Sequence, residues 1–120
     1  MTQALSIQEQ AQRYFELGLS AFDRQDYQEA LVQFTEGIAV RPESSGLWLN
    51  RSIAYQKLNQ LPEAFDDLLA YLNLKPEDLF SWHRALKLAQ QISCLERVLK
   101  PLAQLAQEDS GYQSFQLSAD

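Results

Sequence analysis

Few residues in this 120-residue chain have the type and spacing that bond-making chemistry needs. The adjacent acids Asp66-Asp67 and Glu77-Asp78 are of the kind that shares protons in general acid–base work. Cys94 is the single thiol, and a thiolate would be its reactive form. His83, Arg84 and Lys87 fall at i, i+1 and i+4, a one-turn cationic cluster suited to gripping an acidic partner. Around these groups the chain has no glycine loop to cradle a phosphate, no Gly-x-Ser-x-Gly elbow and no His-Glu-x-x-His helix. One histidine and one cysteine cannot build a His/Cys zinc cage within one chain. The acid pairs therefore read as a solvated helix face and a polar turn, because charged side chains mostly stay in water. Cys94 reads as a small apolar residue at a turn. No catalytic residue, metal or cofactor is expected, and the chain reads as a non-enzyme.

The elements that carry these residues are helical. Leu, Ala, Gln and Glu abound while β-branched residues are few, a composition that favours helix. The length suits one domain, and 46% hydrophobic with 22% charged residues is ordinary for a globular protein. A net charge of −6 argues against general binding to a nucleic-acid backbone, which needs a basic face. The opening MTQALSIQEQ lacks a basic start and an apolar run, and no stretch approaches the roughly 20 apolar residues of a membrane span. The expectation is a cytoplasmic protein with no membrane insertion, and the Met1 start with a polar tail reads as a complete chain.

Shifting the chain by 34 residues superimposes Gly18 on Ser52, Ala30 on Ala64, Phe34 on Leu68, Pro42 on Pro76 and, at the next step, Trp48 on Trp82. Each unit has a helix–turn–helix rhythm. Tyr14, Leu17, Gly18, Ala21 and Phe22 recur at helical spacing, the turn is Arg24-Gln25-Asp26, and Ala30, Leu31, Phe34 and Ile38 follow before Pro42 ends the helix. The second unit repeats this with Trp48, Ser52 and Tyr55, then Ala64, Leu68 and Leu72, then Pro76. Gly18 with Ala30, and Ser52 with Ala64, are small enough to let antiparallel helices approach to roughly 8–10 Å.

In these positions the sequence resembles the tetratricopeptide repeats, whose 34-residue motif carries an aromatic, Leu-Gly, Tyr, Ala, Phe, Ala and Pro at fixed offsets. Residues 11–44 and 45–78 match it, with Ala21, Arg51 and Tyr71 departing. Residues 79–107 read as a degenerate third repeat: Trp82 is kept, Ala85, Leu86 and Ala89 replace the rest, and Leu95, Val98, Leu99, Leu102 and Leu105 form an amphipathic stripe. Pro101 lies inside that stripe and is expected to kink or restart the helix. Tyr71 is expected to fill space left by Ala85 and Ala89. The resemblance implies an all-α fold, a helix-turn-helix solenoid of about six antiparallel helices over residues 1–107, followed by a flexible acidic tail at 108–120.

The resemblance also implies a concave groove lined by the first helix of each repeat. Carried over position by position, that groove takes Phe15, Leu19 and Phe22, then Leu49, Asn50 and Ile53, then Phe80, His83, Arg84 and Lys87. Phe15, Leu19 and Phe22 at i, i+4 and i+7 form one stripe, and a contiguous apolar patch of this kind marks a binding surface. The family's carboxylate clamp for chaperone C-termini needs two Lys, two Asn and an Arg. Here Asn50 and Arg84 are kept, but Phe15, Phe80 and Leu19 stand where the lysines and the other asparagine belong. The implied function is an adaptor or chaperone-like module that holds an apolar or amphipathic segment of a partner protein. The alternative is a homodimer formed through the stripe on the last helix. The tail, with Tyr112, Phe115 and Leu117, is a further candidate occupant of the chain's own groove.

Overall fold

The computed structural model describes residues 4–92 and 96–108. Among them are six helices and no strand: α1 (Ile7–Asp23), α2 (Tyr27–Val40), α3 (Ser45–Lys57), α4 (Leu61–Leu74), α5 (Leu79–Ile92) and α6 (Glu96–Glu108). The all-α architecture expected from the repeats is present. The chain divides into two compact units, Met1–Lys75 with α1 to α4 and Pro76–Asp120 with α5 and α6.

Local chemistry sets the helix boundaries. Ser6 and Glu9 form a capping box: the Ser6 hydroxyl accepts the Glu9 N–H at 3.1 Å, and Glu9 Oε1 accepts the Ser6 N–H at 3.0 Å. The Ser6 N–H first, and the Ser6 hydroxyl second, hold the Glu9 carboxyl below its ordinary value. Asp26 caps α2 by accepting the Glu29 N–H at 3.2 Å. Asp78 caps α5, where its carboxylate accepts the Ser81 N–H at 3.2 Å and the Ser81 hydroxyl at 2.8 Å. One member of the Glu77-Asp78 pair is thus a helix cap.

The turns inside the two repeats of the first unit are built alike. Gln25 and Asn59, 34 positions apart, both take a left-handed conformation, with φ of 62° and 59°. In the first turn Asp26 N–H donates to Ala21 O at 2.9 Å and Gln25 N–H to Phe22 O at 2.9 Å. In the second, Gln60 N–H donates to Tyr55 O at 2.9 Å and Asn59 N–H to Gln56 O at 3.0 Å. This is the Schellman pattern, whose left-handed position usually carries glycine. Asn59 adopts it at little cost through its short polar side chain, whereas the longer Gln25 adopts it without that local hydrogen bonding.

The starts of α3 and α5 share a second device. The Trp48 indole N–H donates to Pro42 O at 2.6 Å, and the Trp82 indole N–H donates to Pro76 O at 2.8 Å. The Trp and Pro positions that coincide under the 34-residue shift are bonded to each other.

Packing in the first unit centres on Phe34, which is fully buried. A Cβ at Gly18 would lie 2.6 Å from Phe34 Cδ1 and 2.8 Å from Cζ, so the ring occupies the space that glycine leaves open. Gly37 of α2 faces Leu47 of α3 and Tyr14 of α1, where a Cβ would lie 2.8 Å from Leu47 Cδ2. Ala11, Ala21, Ala30, Ile38, Leu47 and Ala54 complete this core.

Leu17 departs from the sequence expectation. It is 45% exposed, because it lies about 100° around α1 from Gly18, the residue that meets α2. Pro101 does not restart the helix: α6 runs through it, with the proline on the exposed side. Tyr71 is buried, as are Ala85 and Ala89. Cys94, Leu95 and residues 109–120 lie outside the described residues.

Two stability measurements check this account. Gly18→Ala should lower stability by about 1–3 kcal/mol in urea unfolding, because the Phe34 ring cannot bend away. Gly37→Ala should cost less, since the Leu47 methyls can shift. Gln25→Gly should stabilise by about 0.5–1 kcal/mol, and more than Asn59→Gly does.

Candidate functional site

In the first unit the candidate face is built on α1 and α3. Phe15, Leu19 and Phe22 are half-buried and pack against the core, so each is rooted inside while an edge remains accessible. The Phe15 ring lies 6.3 Å from that of Phe34, and Phe22 meets Tyr27 edge-on at 5.0 Å. A Cβ at Gly46, in the first turn of α3, would lie 3.3 Å from Phe15 Cε2. Phe15 thus brings the stripe of α1 against α3. Asn50, one turn on, donates its amide to Gly46 O at 2.8 Å. Leu49, Asn50 and Ile53 are half-buried. Six of the ten sequence-derived groove residues therefore lie on two helices that meet at Phe15 and Gly46.

The other four lie on α5 in the second unit. Phe80 is 75% exposed, the most open large apolar side chain among the described residues. His83 and Lys87 are exposed, and Arg84 is half-buried and engaged by another group.

Between α5 and α6 lies a cavity of about 280 Å³ that sequence reasoning missed. Leu79, Trp82, His83 and Leu86 line it from α5, and Leu102 and Leu105 from α6. The stripe on residues 98–105 was legible as one wall. The opposite wall was not, because His83 and Leu86 were assigned to other roles.

The group with the strongest electrostatics is also new. Arg51 of α3 donates to both carboxylate oxygens of Asp67 on α4, at 2.7 Å each, and to the Thr35 hydroxyl of α2 at 3.2 Å. Its guanidinium also lies over Trp48 at 5.2 Å and Tyr55 at 5.6 Å. Asp67 is only 3% exposed, which corrects the reading of Asp66-Asp67 as a solvated pair: Asp66 is exposed and Asp67 is not. Burial pushes the Asp67 carboxyl up, against the pull of Arg51. The Asp67 hydrogen bond raises Arg51, so its charge is secure. A carboxylate held bidentate in this way is a structural partner. Among the described residues no group of three or more His, Cys, Asp or Glu is placed to hold a metal ion. No helix among them is long and apolar enough to cross a membrane.

No family model matches the chain. Over 52 residues, 43% of its length, it is 38% identical to Tetratricopeptide repeat protein 28 of Homo sapiens, and equally so to that of Mus musculus. Over 60 residues, 50% of its length, it is 37% identical to Hsp70-Hsp90 organizing protein 2 of Arabidopsis thaliana. The matches span 2% of the length of the first two proteins and 10% of the third. The chain is similar to tetratricopeptide repeat proteins in sequence, and its six helices agree with that likeness.

Removing one side of the buried pair isolates its role. Asp67→Ala should cost about 3–5 kcal/mol in urea unfolding, because it strands a half-buried guanidinium. The double change Arg51→Met, Asp67→Leu should recover most of that loss. A double variant as unstable as the single one would show that the pair itself stabilises the fold.

Proposed function

We propose, from the likeness to tetratricopeptide repeat proteins, that this chain is a non-enzymatic protein-interaction module of the cytoplasm, an adaptor or chaperone-like factor. Its partner is an apolar or amphipathic protein segment laid against α1 and α3. The observation that carries this reading is the seating of Phe15 against Gly46. It brings the Phe15–Leu19–Phe22 stripe against the helix that bears the half-buried Leu49 and Ile53, which supports reading the five as one apolar strip. Phe80, with His83, Arg84 and Lys87, supplies a separate apolar and basic contact on α5.

One relative's name speaks of organizing Hsp70 and Hsp90. That role is not carried over. Phe15, Leu19 and Phe80 occupy the positions where the family's clamp has its lysines and an asparagine, so a terminal carboxylate would lose most of its charge-assisted partners.

A homodimer through α6 is the weaker reading. Val98 and Leu102 are already buried within the chain, and Leu99 is the stripe's exposed large side chain. A specific interface needs roughly 1,000 Å² or more.

Peptides selected from a random displayed library should be rich in apolar residues and should shift amide signals of α1 and α3. Leu19→Glu with Ile53→Glu, at unchanged helicity, should weaken them at least about tenfold, or about 1.4 kcal/mol. Equal affinity in the double variant, or shifts confined to α2 and α4, would refute the assignment.

A further inference from the structure

The 34-residue shift superimposes Leu17 of α1 on Arg51 of α3, and Arg13 on Leu47, so the two repeats can be compared flank by flank. In the second repeat this flank is covered by a helix. Arg51 donates to the Thr35 hydroxyl of α2 at 3.2 Å. Leu47 packs against Gly37 of α2, where a Cβ would lie 2.8 Å from Leu47 Cδ2. As α2 advances from Thr35 to Gly37, its contacts step back from Arg51 to Leu47, so the covering helix runs antiparallel to α3.

On α1 the same flank is open. Phe15, which meets α3, is turned about 60° one way from Gly18, and Leu17 is turned about 100° the other way. Leu17 is 45% exposed and Arg13 is exposed, so no helix among the described residues covers them. Where the second repeat has the ion pair Arg51–Asp67, the first has Leu17 and Gln33. Gln33 is half-buried and donates to Glu29 of its own helix at 2.8 Å. An apolar residue thus stands in place of a charge at the most open point of the flank. The charge beside it on α1 is positive: Arg13 and Arg24 lie four residues before and seven after Leu17. The acids of α1, Glu9, Glu16 and Asp23, recur every seven residues along a different stripe.

We propose that this flank of α1 is a docking surface for an amphipathic helix of a partner protein, laid antiparallel to α1 as α2 is laid on α3. An apolar side chain of that helix covers Leu17, where Thr35 meets Arg51 in the second repeat. An acid two residues further on meets Arg13, where Gly37 meets Leu47. The surface is separate from the strip on α1 and α3, because Phe15 faces the other side of the same helix. A second copy's α6 is the poorer occupant. Its exposed Arg97 and Lys100 would set like charge against Arg13 and Arg24.

The probe is a synthetic peptide of residues 27–41 with Thr35→Leu and Gly37→Glu, and with Phe34→Gln to remove the ring that seats on Gly18. Titrated into the full-length chain, it should shift the amide signals of Arg13, Tyr14 and Leu17 and leave those of Leu49 and Ile53 in place. Leu17→Glu in the chain, at unchanged helicity, should weaken the peptide at least about tenfold. Arg13→Glu should weaken it about threefold and favour instead a peptide with Gly37→Lys. No shift on α1, shifts confined to α3, or binding indifferent to both changes would overturn the proposal. So would α1 signals that move when the chain alone is diluted, which would assign the flank to a second copy.

Discussion

The Phe34 ring lies where a side chain at position 18 would otherwise be, and the surface of the first unit follows from that contact. Because Gly18 has no Cβ, α1 and α2 pack around one fully buried ring. That ring lies against Phe15, and Phe15 in turn rests on Gly46 at the start of α3. Two glycines on different helices thus bracket two aromatic rings. The outer edges of Phe15, Leu19 and Phe22 are placed from the inside, by packing, and need no partner to order them. A surface set in this way loses little side-chain freedom on binding, which is what makes apolar contacts effective in recognition.

The chain's charged chemistry is directed inward in the same manner. The acids that first suggest proton transfer end as a helix cap, Asp78, and as half of a buried pair, Asp67. Arg51 reaches three helices at once through Asp67 and Thr35 from its own place on α3. Groups saturated by such bonds are poor reagents and good fasteners. On α1 and α3, by contrast, Phe15, Leu19, Phe22, Leu49 and Ile53 are half-buried and keep apolar edges at the surface.

Much of this was legible in the sequence, and the parts that were not share a cause. The 34-residue shift exposed the repeat, the small residues of the helix contacts and the matched Trp and Pro positions, because each depends on local spacing. Asp67 was misread because periodicity assigns a charged residue to water, and its burial depends on a partner 16 positions away on another helix. Leu17 was placed inside because its spacing fits an apolar face, yet packing follows Gly18, one step around the helix. The α5–α6 cavity was invisible because a void belongs to two helices together. Gln25 was legible as a turn residue, but not as a left-handed one, because neither Gly nor Asn stands there.

The indole-to-carbonyl bonds of Trp48 and Trp82 have a consequence for how these repeats vary. Each bond spans six positions and ties the start of a helix to the proline before it by a side chain. The residues enclosed by the bond share that duty differently in the two repeats. After the shared Glu43 and Glu77 they read Ser44-Ser45-Gly46-Leu47 in one repeat and Asp78-Leu79-Phe80-Ser81 in the other. The two repeats close the same clasp around different local devices: Gly46 and Leu47 inside the first are packing positions, whereas Asp78 and Ser81 inside the second form a helix cap.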